Sequence, residues 1–266
     1  MINIKHINKI KVKKIKNENL DTRPIKGKDI CNTCYSNMFL VAPTCSGKTT
    51  VIFEMLKRCA GKKTKIIAFV STIYNDQNWN SIRIYFKKKK ISFTSYTSIF
   101  ENQDLLQTYV DELTKEAEER EKKDTKEIDI YQSCLMFDHS DTESEEEYQT
   151  PKYIFIFDDL SNEIKTNSYD TLLKKARHFE ILTITSSQNL KDLSPSSRNQ
   201  IRVWILFQNL NDERLKTIYD AISSVIPYEQ FKKMYKYATK EKYNFFYIAP
   251  RCSDFRINFN KQFVIK

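Results

Sequence analysis

The sequence APTCSGKT, at residues 42–49, has nearly the pattern of a phosphate-binding loop. In such a loop, successive backbone N–H groups and the N-terminus of the following helix bind phosphate oxygens. Gly47 would let the backbone approach those oxygens, Lys48 would carry a charge toward the β- and γ-phosphates, and Thr49 would offer a hydroxyl to Mg²⁺. The residues expected to bind ATP are Ala42, Pro43, Thr44, Cys45, Ser46, Gly47, Lys48, Thr49 and Thr50.

The residues around this loop supply the structural context that the motif needs. The apolar run at 38–43 has strand character, and the apolar positions between 51 and 59 recur at helical spacing before Gly61. Ala42 stands where the pattern begins with glycine. A methyl group is tolerated there if φ stays negative, so we expect the loop to bind nucleotide.

Two adjacent aspartates close the apolar run KYIFIFDDL at residues 152–160. Ligands of parallel sheets bind at the carboxyl ends of the strands. Asp158 is expected to hold the Mg²⁺ shell through water, and Asp159 to orient or deprotonate the attacking water. Consecutive side chains of a strand point to opposite faces, so both roles require the strand to end at this pair. The alternative is a pair of solvated carboxylates at a turn.

Gln188 closes another apolar run, EILTITSSQ at residues 180–188. A polar side chain at that strand end can contact both the γ-phosphate and the attacking water. His6, His139 and His178 have no partners that would suggest a nucleophilic triad. The sequence therefore favours ATP hydrolysis over covalent catalysis.

The remaining apolar patterns predict an α/β fold. Strands are expected at 64–70, 91–96, 152–160, 180–188 and 201–207, with helices at 81–90, 168–179, 212–224 and 228–240 and a hairpin from 243 to 265. A strand, loop, helix and strand in succession indicate a parallel βαβ unit. We expect a mostly parallel central sheet with an antiparallel C-terminal edge.

Charge is unevenly distributed along the 266 residues, which carry a formal net charge of +10. Residues 111–148 hold 15 acidic and 5 basic residues, a local net charge of −10, so the remainder carries +20. A basic folded part favours a polyanionic partner such as double-stranded DNA, with the lysine runs at 11–16 and 87–90 as candidate contacts. The alternative is that these lysines only make the surface soluble.

The chain divides into a basic N-terminal extension at 1–37 and a P-loop ATPase domain at 38–266. A long solvated helix with mixed charges is expected at 102–127. An acidic, partly disordered insertion is expected at 111–150, outside the core, with the disorder at 138–151. The sequence contains no apolar run long enough to span a bilayer and no signal-peptide core, so we expect no membrane insertion and no secretion.

Four elements in a fixed order make the sequence resemble the viral genome-packaging ATPases of the FtsK–HerA superfamily. The resemblance is to the poxvirus type, shared by large DNA viruses, virophages and related elements. The elements are APTCSGKTT, YIFIFDDLS, ARHFEILTITSSQNL and SSRNQIRVWILF, and FFYIAP with RCSDFRINF looks like that family's terminal strands. The resemblance covers residues 38–260, and its specific part is the order of these elements.

The resemblance implies a three-layer, RecA-like P-loop core of the ASCE type. In that core a strand lies between the P-loop strand and the Asp158 strand, and the runs at 64–70 and 91–96 are candidates. It also implies a homo-oligomeric ring, often a hexamer, that pumps double-stranded DNA into a capsid. An arginine from the neighbouring subunit completes the site in this family; Arg177 is the best match and Arg198 the alternative.

The same resemblance implies a capsid or portal-vertex protein as partner. It places the chain in the virion or the host-cell virus factory, with the cytoplasm favoured over the nucleus. Asp159 stands where the superfamily often has glutamate, and a shorter carboxylate should affect the hydrolysis rate more than nucleotide binding. The alternatives are a superfamily 2 helicase, which needs a second RecA-like domain; a terminase large subunit, which needs a nuclease domain after residue 260; and a nucleotide-binding scaffold without turnover.

Overall fold

The computed structural model describes residues 21–101, 103–133, 147–222 and 226–265. Its strands are β1 (Ser36–Val41), β2 (Lys65–Val70), β3 (Ser92–Tyr96), β4 (Phe100–Glu101), β5 (Gln103–Asp104), β6 (Tyr153–Asp158), β7 (Ile181–Ser187), β8 (Val203–Leu206), β9 (Phe246–Ala249), β10 (Asp254–Ile257) and β11 (Lys261–Gln262). Its α-helices are α1 (Lys48–Cys59), α2 (Gln77–Lys88), α3 (Leu105–Ser133), α4 (Asn167–Lys174), α5 (Pro195–Arg198), α6 (Asp212–Ile222) and α7 (Tyr228–Ala238). The lysine run at 11–16 and most of the segment predicted to be disordered lie outside the described residues.

A nine-stranded sheet crosses the molecule in the order β11–β10–β9–β8–β1–β7–β6–β2–β3. Every neighbouring pair from β8 to β3 is parallel, whereas β9, β10 and β11 are added antiparallel. The predicted α/β class, mostly parallel with an antiparallel C-terminal edge, is therefore confirmed. Because parallel strands share one direction, their carboxyl ends lie together at one edge of the sheet.

The strand between the P-loop strand β1 and the Asp158 strand β6 is β7, so both candidates from the sequence were wrong. The runs at 64–70 and 91–96 form β2 and β3, which lie beyond β6. All these strands are apolar runs, and their sequences carry no signal for lateral order. Val41 of β1 is opposite Ser187 of β7, and Ser186 is opposite Asp158 of β6. The functional ends of three strands are thus side by side.

Side chains of the central strands alternate between two hydrophobic clusters, one on each face of the sheet. In β1, Phe39 and Val41 enter one cluster, whereas Met38 and Leu40 enter the other. Residues of α3, α4, α6 and α7 cover the first face, and residues of α1 and α2 cover the second. Since helices cover both faces, the strands are apolar throughout, and the molecule has three layers.

The first half of α3 belongs to the core, in contrast to the solvated helix predicted for residues 102–127. Leu106, Val110, Leu113 and Ala117 are buried in the same cluster as Phe155 of β6. Their spacing places them on one helix face, but the surrounding charged residues conceal that pattern in the sequence. Residues 134–146 of the predicted insertion lie outside the described residues.

In the part of the chain that is described, no helix combines the length and apolar character of a membrane span.

Part of the predicted N-terminal extension also packs on the sheet. Ile30 is fully buried, and its carbonyl accepts a hydrogen bond from the Tyr247 hydroxyl at 2.8 Å. β1 begins at Ser36. The domain boundary between residues 37 and 38 stays a prediction.

Left-handed backbone conformations are common in this chain, which has only three glycines. Among the described residues, those with positive φ other than glycine are Cys45, Lys90, Asp159, Glu180, Asn209, Tyr243, Ser253 and Asn258. Such conformations cost about 1–2 kcal/mol for a residue with a side chain. Four of them, namely Cys45, Asp159, Asn209 and Tyr243, lie at or beside the candidate site described next.

Candidate nucleotide-binding site

The connection between β1 and α1 forms the compact turn expected of a phosphate-binding loop. The Ala42 N–H donates to the Ser187 carbonyl at 3.1 Å, and the Ser46 N–H donates to the Pro43 carbonyl at 3.3 Å. α1 begins at Lys48, and no side chain caps its N-terminus. Its first backbone N–H groups and the positive end of its dipole are therefore free to bind an anion.

Gly47 and its neighbours fit a ligand that approaches the backbone closely. Gly47 has a φ of 88°, and an added Cβ would lie 3.3 Å from Cδ1 of Tyr243. Cys45 is also left-handed, whereas Ala42 is buried and is not among the left-handed residues. The hydroxyl of Ser46 is buried without a hydrogen-bond partner. An uncapped helix terminus and an unpaired hydroxyl are the polar surroundings that a phosphate would satisfy.

Lys48 is paired with both aspartates of the sequence motif. Its Nζ lies 3.0 Å from Oδ1 of Asp158 and donates a short hydrogen bond to Asp159. Burial lowers the pKa of Lys48, but the attraction of Asp158 and the hydrogen bond to Asp159 outweigh it and raise the pKa. Lys48 therefore carries its charge at neutral pH, and the carboxylates hold it where a terminal phosphate would bind.

Asp159 reaches Lys48 because the strand ends one residue earlier. β6 stops at Asp158, and Asp159 takes a left-handed conformation with a φ of 55°. The turn brings two consecutive carboxylates to the same ammonium group, which an extended strand would prevent. The side chain of Asp159 is 36% exposed, whereas that of Asp158 is 3% exposed. Asp159 is thus the carboxylate that water can reach.

Two further residues hold Asp158, and neither was identified from the sequence. Nε1 of Trp79, on α2, donates to its Oδ2 at 3.3 Å, and Ser186 of β7 donates a short hydrogen bond to its Oδ1. Burial raises the pKa of Asp158, while Lys48 and Ser186 oppose that rise. Ser186 precedes Gln188 by two residues, so the SSQ sequence was an available signal. Trp79 carries no such signal because its contact depends on the packing of α2.

Gln188 and Thr44 close the site on the side of β7. Nε2 of Gln188 lies 3.4 Å from Oγ1 of Thr44, which places the amide directly beside the P-loop. β7 lies between β1 and β6, so Gln188 follows the strand that separates the loop from the aspartates. An amide at this point can donate to a phosphate oxygen and accept from a water.

Thr49 and Asp158 suit a Mg²⁺ ion that is completed by other ligands. Thr49 is buried in the first turn of α1, and Thr50 is exposed beside it. The described residues contain no cluster of three or more histidines, cysteines or carboxylates arranged for a metal. Mg²⁺ usually keeps several waters and takes one or two carboxylates together with substrate phosphates. One hydroxyl and one carboxylate therefore fit that type of site.

The two candidate arginines do not reach the site of their own chain. Arg177 is exposed and precedes β7, so it lies at the opposite edge of the sheet from Gln188, about 20 Å away along the strand. Nε of Arg198, in α5, donates to the Leu193 carbonyl at 3.1 Å. Two other basic side chains at the nucleotide edge, Lys191 and Arg214, line a cavity of about 320 Å³ together with Gln188.

These features define the class of the molecule as a mixed α/β P-loop ATPase fold. The chain is similar to B204, the genome-packaging NTPase of Sulfolobus turreted icosahedral virus 2. With the AMP complex of that protein it shares 17% identity and a TM-score of 0.55, covering 85% of this chain and 98% of B204. With its ATP-γ-S complex the TM-score is 0.51 at 19% identity, covering 85% and 97% of the two chains. The resemblance to viral genome-packaging ATPases is confirmed at the level of the fold.

Sequence comparison gives a weaker similarity. An uncharacterized protein, 075L of Invertebrate iridescent virus 6, is 28% identical over 109 residues. The match spans 40% of this chain and 42% of that relative, less than half of either protein. No family model matches the sequence.

Proposed function

We propose that this chain is an ATP-driven motor that packages double-stranded viral DNA into a capsid. The proposal rests on the convergence of Lys48, Asp158, Asp159 and Gln188 at the carboxyl ends of three adjacent strands. A lysine, a shielded carboxylate, an exposed carboxylate and an amide are among the groups that assist hydrolysis of a phosphoanhydride. The B204 fold supports the same class of activity.

Each side chain has a proposed part in ATP hydrolysis. Thr49 and Asp158 would hold Mg²⁺, the latter through water, and the ion would supply positive charge against the phosphates of ATP. Asp159 orients the attacking water and accepts its proton, because it is the more exposed carboxylate. Gln188 positions that water against the γ-phosphate. Lys48 moves from the two aspartates to the phosphate oxygens when ATP binds.

The proposal of DNA as partner rests on charge. The chain outside residues 111–148 carries a net charge of +20, and Lys87–Lys90 at the end of α2 are all exposed. Contacts with phosphates release counterions, so DNA binding should weaken steeply as salt increases.

We also propose a ring of identical subunits, with a hexamer favoured, as the family resemblance implies; the position of Arg177 supports an oligomer of this kind. An arginine at the edge opposite the P-loop can complete a site only in a neighbouring subunit. There it would stabilise the charge that develops on the γ-phosphate. We also propose that a capsid or portal-vertex protein holds the ring on the virion or in the virus factory.

The decisive experiment measures ATP hydrolysis with and without linear duplex DNA. The Lys48→Ala and Asp159→Asn variants should lose at least a hundredfold in rate. Lys62→Ala is the matched control, because Lys62 is exposed on the connection that follows α1. Hydrolysis that duplex DNA does not stimulate at any length or salt concentration would reject translocation. ATP binding without hydrolysis would instead indicate a scaffold.

A mixing experiment tests the arginine. Arg177→Ala and Asp159→Asn subunits should each be inactive alone and should regain part of the activity when mixed. In the mixed ring, an intact Arg177 from one variant faces an intact Asp159 of the other. If Arg198→Ala subunits complement Asp159→Asn subunits and Arg177→Ala subunits do not, Arg198 is the arginine that acts in trans. If neither variant complements Asp159→Asn, neither arginine acts in trans.

A further inference from the structure

A small cavity adjoins the P-loop on the side away from the aspartates. Its volume is about 110 Å³, and it lies between residues 43–46 of the P-loop, residues 207–209 after β8 and residues 242–244 before β9. Residues 43–46 belong to the P-loop, whereas the other two lining segments have no part in the proposed phosphate chemistry. What those two segments could bind beside the P-loop is the question that this cavity raises.

The direction of the nucleotide follows from the order of the strands. Asp158 ends β6 and Gln188 follows β7, both on one side of β1, and the ammonium of Lys48 reaches toward Asp158, so the terminal phosphate faces that side. The phosphate chain crosses the P-loop, and the ribose and base must leave on the other side. That side is occupied by β8 and, beyond it, β9.

Tyr243 is the prominent side chain at this place. Its ring is at the surface, with 56% of the residue exposed, and it packs against Gly47, where an added Cβ would lie 3.3 Å from Cδ1. The backbone of Tyr243 is left-handed with a φ of 69°. A bulky residue in that conformation is an outlier, and outliers of this kind concentrate at functional sites. The Lys242 ammonium lies over the ring, 4.8 Å from its centroid.

Hydrogen bonds hold the loop that carries Tyr243. Nε2 of Gln208 donates to the carbonyls of Thr239 and Glu241, both at 2.6 Å. From the other side, Asn258 donates to Oδ1 of Asn244 at 2.9 Å, and the N–H of the next residue, Phe245, donates to Oδ1 of Asn258 at 3.0 Å. The backbone on both sides of Tyr243 is therefore held in place before any ligand binds. Such preorganisation reduces the entropy lost on binding.

We propose that Tyr243 is the platform on which the base of the bound nucleotide stacks, with the base in the cavity between the ring and the P-loop. This inference rests on the proposed function, because it assigns the base-binding part of the same site. Stacking on an aromatic ring recognises any base, since every base has a π-face. The site should therefore discriminate strongly between nucleotides and inorganic phosphates, and only weakly between ATP and GTP.

The test compares binding of ATP with binding of inorganic tripolyphosphate, which lacks base and ribose, by isothermal titration calorimetry. Tyr243→Gly removes the ring and relieves the left-handed backbone, so it should fold. It should weaken ATP at least about tenfold and leave tripolyphosphate unchanged. Tyr243→Phe should bind ATP like the wild type. Tyr237→Ala is the matched control, because Tyr237 is 66% exposed on α7.

The possible results separate this inference from the proposed function. If Tyr243→Gly binds ATP with unchanged affinity, the base does not stack on Tyr243, whereas the proposal that the protein binds ATP is unaffected. Equal weakening of ATP and tripolyphosphate also overturns it, because Tyr243 would then only shape the P-loop at Gly47. Failure of the wild type to bind either ligand rejects the proposed function together with the inference.

Discussion

Replacing Lys48 with methionine tests the charge balance of the nucleotide-free site. Methionine keeps much of the length of the side chain and removes its ammonium group. Asp158, whose side chain is 3% exposed, then loses the cation at 3.0 Å. Asp159 also loses its partner, but water reaches that carboxylate because its side chain is 36% exposed. The variant should therefore unfold more easily than the wild type because of Asp158.

The size of the effect can be worked out from these contacts. Removing one partner of a buried ion pair costs about 3–5 kcal/mol, because the other charge stays buried. Trp79 and Ser186 still donate to Asp158, and the carboxyl can take up a proton, so the lower end of that range applies. The exposed pair with Asp159 adds at most about 1 kcal/mol. We expect a loss of about 3 kcal/mol in the free energy of unfolding at neutral pH.

Urea unfolding of the nucleotide-free protein, followed by circular dichroism, measures this loss. The double variant Lys48→Met/Asp158→Asn should recover at least half of it, since an uncharged amide replaces the unpaired carboxylate. Lys62→Met, at an exposed position, should match the wild type. A difference in the slope of the urea dependence would reveal a change in compactness and not in stability.

The pH dependence of the loss has a definite sign. Burial raises the pKa of Asp158 in the folded state above its unfolded value, so the ionised group opposes folding at higher pH. Without Lys48, ionised Asp158 destabilises the folded state more strongly. This destabilisation should decrease as the pH falls and Asp158 takes up a proton. A Lys48→Met variant that is as stable as the wild type at neutral pH, or whose deficit grows on acidification, would refute this reasoning.

Three further results are expected. Gly47→Ala should weaken ATP binding at least tenfold in calorimetry, because its φ is 88° and the added methyl meets Tyr243. Cys45, exposed in the P-loop, should be alkylated by iodoacetamide and protected by ATP; Cys59, where burial raises the pKa to about 12, should stay unlabelled in peptide mapping. Trp204→Ala should lower the free energy of unfolding in urea by about 3–5 kcal/mol, because the residue is 1% exposed in the core. Wild-type ATP affinity in Gly47→Ala would contradict the first expectation, and rapid labelling of Cys59 the second. A loss below about 1 kcal/mol in Trp204→Ala would contradict the third.

The sequence predicts which strand ends carry polar residues better than it predicts the lateral order of the strands. The ends of β1, β6 and β7 can be read from apolar runs that stop at Ala42, Asp158 and Gln188, because buried strands must be apolar and their exposed ends need not be. The pairing of Lys48 with both aspartates follows once those ends share an edge. The left-handed turn at Asp159 has no sequence signal, since glycine or asparagine is the usual residue there.

Lateral order and helix burial were the parts that the sequence did not reveal. The position of β7 between β1 and β6 depends on where α4 crosses the sheet, and no strand sequence records that path. α3 was taken for a solvated arm because charged residues surround its buried positions, such as Val110 and Leu113. The contact of Trp79 with Asp158 likewise depends on how α2 packs.

The left-handed residues offer a way to separate function from stability by protein engineering. Lys90 and Glu180 take this conformation at the amino ends of β3 and β7, away from the P-loop, and glycine would relieve each, although at Glu180 it would also remove a half-exposed ion pair with Arg120. Cys45, Asp159 and Tyr243 take it at or beside the P-loop, where glycine would remove the side chain that the site needs. A thermostable form for biochemical work can therefore be built from the first pair alone, leaving the second set as it is.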